Sequence, residues 1–170
     1  MKTTIRSLAL FMSLALFFSA CKKNKDDVKG SFTYDGQTYT TNYAINTTFN
    51  GSYSDLVMIS VDYNPNFQGK AHGVGITFDN DKVTPGTYTY KADSDPDFDG
   101  TKHFFDGYAF MNVNFPDLDT GTWREDIVSG TATVSVSGST MTVTYELVFG
   151  DDKKKVTGSY SGTVKQVDED

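Results

Sequence analysis

The chain contains a single cysteine, Cys21, so no internal disulfide can brace it. Glutamate is scarce: among 22 acidic residues only Glu125, Glu146 and Glu169 are not aspartate. Aspartate favours turns and oxygen-ligand sites where glutamate would favour helices, so the bias argues against a helical protein. The 15 bases leave a formal net charge of −7 and form no stripe. A nucleic-acid surface needs a concentrated positive field, and that class of partner is therefore excluded. Only two histidines occur, His72 and His103. The chain has no G-x-S-x-G elbow and no H-E-x-x-H pair, and its one thiol is claimed by the N-terminal signal described next, which excludes Cys–His catalysis. Long apolar runs are missing too. The one from Leu8 to Phe18 is shorter than the roughly 18–20 residues needed to span a bilayer core. Aromatics, by contrast, are plentiful, with 13 Phe and 10 Tyr. A chain this aromatic and this long folds as one packed domain with a short appendage.

The appendage is N-terminal. Residues 1–20 carry Lys2 and Arg6, no acid, a short apolar centre and the small residues Ser19 and Ala20, the pattern of a secretory signal. Cys21 follows at once. Phe18-Ser19-Ala20-Cys21 resembles the lipobox of a bacterial lipoprotein, with Phe18 where leucine is more usual. The resemblance implies cleavage before Cys21 and a diacylglycerol on its thiol. Acyl chains anchor a protein because each buried CH₂ contributes roughly 0.8 kcal/mol. Residues 21–29 would then be the lipidated cysteine and a polar tether. Within them Lys25-Asp26-Asp27 resembles the signal that sends Bacteroidota-type lipoproteins to the outer face of the outer membrane, with the periplasmic face as the other destination.

From Gly30 onward no helical period is sustained, and alternation recurs instead. Asp35-Gly36 predicts a hairpin in which Phe32 faces Tyr39. Asp55–Asn64 aligns Val57, Ile59, Val61 and Tyr63, and Lys70–Phe78 aligns His72, Val74, Ile76 and Phe78 with Gly73 and Gly75 opposite. Phe104–Asn114 is expected to place Phe105, Ala109, Met111 and Val113 together. Around Gly138-Ser139, Val136 meets Met141, Val134 meets Val143 and Ala132 meets Tyr145, with Thr131, Thr133, Ser135, Thr142 and Thr144 turned the other way. A turn near Asp152-Lys153 pairs Phe149 with Val156 and Tyr145 with Tyr160, setting Gly158 against Leu147 and Gly162 against Val143. Small-against-large pairs of this kind let a curved sheet fill its taper. The reading is all-β: one antiparallel sandwich or small barrel of about nine or ten strands over residues 30–167, then an acidic tail over 168–170. The runs Gly130–Val136 and Val156–Val164, with the opening Gly30–Tyr39, resemble the closing strands and first hairpin of small Bacteroidota lipoproteins. That resemblance implies a β-sandwich or calycin-like fold and a location, with no common activity to transfer.

The most pointed constellation is Asp95-Pro96-Asp97-Phe98-Asp99-Gly100, which with Asp106 reads D-x-D-x-D-G-x5-D. It resembles a calcium loop, in which Asp95, Asp97 and Asp99 would give carboxylates, Thr101 its carbonyl and Asp106 the closing carboxylate. Asp106 stands where glutamate is expected, and Lys102 where an apolar residue is usual. The alternative is an acidic, turn-rich connection. The polar stretch Phe115–Asp126 holds Trp123 beside Arg124, residue types that suit sugar rings or protein partners; the alternative is that Trp123 caps one end of the core. Tyr39, Tyr43, Tyr53, Tyr63, Tyr88 and Tyr108 are further surface candidates. These readings converge on a non-catalytic binding or structural module, held to the outer membrane by lipid, whose ligand would be a glycan or a protein. A calycin-like carrier of a small apolar ligand and a hydrolase are the alternatives.

Overall fold

The computed structural model describes residues 28–169 apart from Tyr63 and Pro65. The signal over 1–20, Cys21, the tether as far as Asp27, and the expected place of Tyr63 lie outside the described residues. Among the described residues twelve strands form: β1 (Gly30–Tyr34), β2 (Gln37–Thr40), β3 (Tyr43–Phe49), β4 (Tyr53–Ile59), β5 (Gly69–Phe78), β6 (Gly86–Tyr90), β7 (His103–Phe115), β8 (Thr122–Arg124), β9 (Ile127–Ser137), β10 (Thr140–Phe149), β11 (Lys154–Gly162) and β12 (Lys165–Glu169). They make one sheet in the order β12-β3-β4-β5-β7-β6-β9-β10-β11-β1-β2, with β8 paired to β7.

The sheet is all-β as the alternation requires, but it is mixed and curls into a half-barrel. Two pairs are parallel, β12 with β3 and β6 with β7, where an antiparallel sheet was expected. Parallel neighbours need a crossover of about a dozen residues. Residues 91–102, the aspartate-rich segment, supply that crossover between β6 and β7. Asp168 and Glu169, expected in the tail, lie in β12 beside Thr48 and Phe49.

Local chemistry sets the register. Asp35 and Gly36 both have positive φ, 49° and 79°, the turn that matches strand twist, and Phe32 pairs with Tyr39. Val136–Met141, Val134–Val143 and Ala132–Tyr145 pair as the alternation predicts. The next hairpin differs by two residues. The turn is centred one residue earlier, closed by the Lys153 amide donating to the Gly150 carbonyl at 3.1 Å, so Phe149 pairs with Lys154 and Tyr145 with Gly158. A two-residue shift keeps every side chain on its face, so the inward set is right and the partners are not. Gly158 now accommodates Tyr145, whose hydroxyl lies 2.5 Å from where a Cβ would be.

Register shifts along β7 explain the other departure. Thr77 pairs with Asp106 but Phe78 with Phe104, and Gly73 pairs with Phe110 but Ala71 with Val113. Each shift leaves an extra residue in β7, one of them Asn112 with φ of 56°. Phe104, Ala109 and Met111 therefore face the concave core, whereas Phe105 does not join them and Val113 packs in a second cluster with Ile59, Ala71 and Phe110. The concave side is filled by large buried residues, among them Phe32, Phe78, Tyr88, Phe104, Phe149 and Tyr160. The β1–β2 hairpin closes over it where Tyr39 packs against His72 of β5, ring centroids 5.2 Å apart.

Candidate functional site

The convex face is chemically divided. Over β9 and β10 it carries Thr131, Thr133, Ser135 and Thr144, all exposed, as ordinary solvated sheet does. Over β3, β4, β5 and β7 the same face is apolar and aromatic, because β4 is apolar on both sides: Leu56 and Met58 point into the core while Val57 and Ile59 pack outward. Next to these, Gly73 and Gly75 of β5 present no side chains. The ring of Phe110 lies 2.7 Å from the position of a Gly73 Cβ, and the ring of Tyr108 occupies the corresponding place at Gly75. Both rings can therefore lie down on the sheet.

Trp123 completes the arrangement. Strand β8 pairs Trp123 with Phe110, and the indole lies near-parallel to both neighbouring rings: 7° from Tyr108 at 5.7 Å and 17° from Phe110 at 5.3 Å. It is 41% exposed, on the outer face rather than capping the core. The three rings line a groove of about 330 Å³, within the ~300–1,000 Å³ range of small-ligand sites. Ile45, Val57 and Ile59 form its apolar floor, and Lys165, Val167 and Glu169 of β12 border it. Arg124 does not face it. That side chain pairs with Asp152 at 2.9 Å and Asp126 at 3.5 Å, fastening β8 to the β10–β11 turn.

Polar groups fix the rings from outside. The indole Nε1–H donates to Glu125 Oε2 at 3.1 Å, and the Tyr108 hydroxyl donates to Asp55 Oδ2 at 2.6 Å. Burial holds the Asp55 carboxyl above the usual carboxylate range, opposed by hydrogen bonds from Tyr108 and Thr77 and reinforced by Asp106. Burial and the adjacent Asp55 charge push the Tyr108 hydroxyl up, so it remains a donor at any physiological pH. Asp106 is also raised, by burial first and then by Glu125 and Asp93 against a bond from the Gly107 amide. Asp55 and Asp106 belong to a second hollow of about 590 Å³ that meets the groove at Tyr108.

The expected calcium ligands are engaged by local partners. Asp95 Oδ1 accepts the Asp97 amide at 2.9 Å and the Lys91 ammonium at 3.3 Å. Asp99 accepts the Thr101 amide and hydroxyl through Oδ1 and the Lys102 ammonium, at 2.7 Å, through Oδ2, which holds its carboxyl well below the usual range. Asp106 instead lines the second hollow. Among the described residues no three His, Cys, Asp or Glu side chains are placed to hold one metal ion. Lys102, at the position where the calcium-loop pattern wants an apolar residue, supplies the counter-charge.

Of the tyrosines singled out in the sequence, Tyr108 joins the platform, Tyr43 and Tyr53 are about two-fifths exposed at 39% and 38%, Tyr88 is core, and Tyr39 packs on Phe32 and His72. Phe110, Val57, Ile59 and Asp55 were not singled out as site residues. The unbroken run Leu56-Val57-Met58-Ile59 is the signal that could have marked Val57 and Ile59, since such a run belongs to a strand covered on both faces. Compared with known proteins, the chain matches no family model, no curated sequence and no solved structure.

Proposed function

We propose that this chain is a lipoprotein anchored to the outer membrane through Cys21, whose β domain is a non-catalytic glycan-binding module with the convex groove as its site. One observation carries the reading: Tyr108, Phe110 and Trp123 form a cluster of near-parallel rings beside a groove. A pyranose offers a flat face of C–H groups, which covers aromatic surface well, and a rim of hydroxyls that need hydrogen-bond partners. Glu125, Asp55 and Asn64 stand at the edges of the rings and the groove to supply them. Tyr108 and Trp123, pinned through their polar tips, lose little freedom on binding, which favours affinity. A carrier of small apolar ligands would need an open concave side, and that side is packed with side chains. The hydrolase alternative rests on the supply of acids, since His72 lies against Phe32 and Tyr39 and the His103 ring nitrogen accepts the Asp99 amide.

The test is a glycan array read with the full-length chain and with Trp123→Ala. Binding should fall at least tenfold in the variant, about 1.4 kcal/mol, while the thermal midpoint moves little because the indole is partly exposed. Equal binding by both proteins, or no bound glycan, would remove the platform from the reading.

A further inference from the structure

The second hollow extends the groove. Its wall includes Phe49, Tyr53 and Phe105, with Phe49 and Tyr53 stacked at 4.9 Å and Tyr53 set edge-on to Phe105 at 6.1 Å. Tyr108 is common to both hollows, so the aromatic surface runs from one into the other. Between the rings stand Asp55, Asp79, Asp93 and Asp106. Asp55 and Asp106 occupy one row of the sheet, both registered with Thr77 of the strand between them. Among the described residues no Lys, Arg or His lies within ion-pair distance of any of the four. The ion pairs that do form engage other acids, such as Asp95, Asp99, Asp126 and Asp152.

Carboxylates alone would only repel one another; the rings that share the lining and the continuity with the platform give this open hollow a ligand chemistry. A bare metal ion is served by convergent oxygens, and no such convergence exists here. An organic ammonium is served by both features, its charge by the carboxylates and its C–H and N–H surface by aromatic faces. Resting on the glycan reading above, we infer that the hollow is a subsite for a protonated amino sugar, so the ligand is a cationic glycan with free amines. One sugar ring lies on Tyr108, Phe110 and Trp123, and the ammonium of its neighbour enters between Tyr53, Phe105, Asp93 and Asp106.

Calorimetric titration of the full-length chain at about pH 6 with a glucosamine hexamer and with its neutral N-acetylated counterpart tests this. The glucosamine hexamer should bind at least tenfold tighter. The double change Asp93→Asn/Asp106→Asn should bring that ratio to about one while leaving the affinity for the N-acetylated hexamer unchanged. Trp123→Ala should weaken both. Equal affinities in the unaltered protein, or a preference that survives the double change, would overturn the amino-sugar subsite while the array result still decides the platform. If neither hexamer binds, the subsite is overturned, and an array positive for other glycans would show that the platform reading survives it.

Discussion

At the scale of the residue, the site depends on side chains that are absent as much as on those present. A β-carbon at Gly75 would overlap the Tyr108 ring, and one at Gly73 would come within 2.7 Å of Phe110 Cζ and of the Met58 carbonyl. Gly75→Ala must therefore lift Tyr108 off the sheet and strain its bond to Asp55. Overpacking of this kind costs about 1–3 kcal/mol. Urea unfolding should show that loss, and the fluorescence of Trp123, the only indole in the chain, should shift as its stacking partner moves. An alanine variant with unaltered stability and emission would mean the ring does not depend on the glycine. The glycines were visible in the sequence as a row opposite His72 and Val74. That aromatic rings from β7 lie over them was not, because β7 reaches Gly73 and Gly75 only through its pairing with β5.

At the scale of the element, the curl is closed by the β1–β2 hairpin meeting β5. His72 sits at that closure against Tyr39 and Phe32, with its Nε2 buried and unpartnered. Burial lowers its pKa from 6.5, and a hydrogen bond with the Thr40 backbone opposes the shift only in part. The unfolded chain thus takes up this proton at higher pH than the folded one. Stability from neutral His72 is complete above about pH 6.5 and is lost as pH falls from there through the folded value. Comparing urea midpoints at about pH 7.5 and pH 5 for the unaltered chain and His72→Phe isolates this contribution from that of the carboxylates. The unaltered chain should lose more stability on acidification than the variant, and equal losses would show that the closure does not sense this proton. Alternation predicted that His72 shares a face with Val74 and Ile76. The closure itself joins segments more than thirty residues apart and leaves no local pattern.

At the scale of the whole molecule, the proposal joins a glycan-binding face to a lipid anchor. Strand β1 begins at Gly30, nine positions after Cys21, so a lipid on that cysteine would hold the domain close to the membrane. Cells grown with labelled palmitate should incorporate it into the unaltered protein and lose nearly all of that label in Cys21→Ser, which should also leave the membrane fraction. Label retained by Cys21→Ser would place the acyl chain elsewhere and end the anchor reading. The comparisons identify no family, so the Bacteroidota lipoprotein resemblance stands on the motifs alone, with the all-β architecture as the part the structure bears out.

The sequence by itself determined the all-β class, most of the strand faces and the tight turns at Asp35-Gly36 and Gly138-Ser139, but it marks no strand at β3, β8 or β12 and puts Phe105 and Val113 on a face they do not take. Alternation with period two and turn residues such as Asp35-Gly36 act over a few neighbours and need no tertiary information. Tertiary structure decided the sheet order, the two parallel pairs, the shifts along β7 and the partners across the β10–β11 turn. These depend on which strand edges meet, a choice among pairings that satisfy the same local pattern. The platform is of this second kind. Tyr108 and Phe110 come from one strand, Trp123 from a three-residue strand and the glycines beneath from a third, so only folding brings the rings into one cluster.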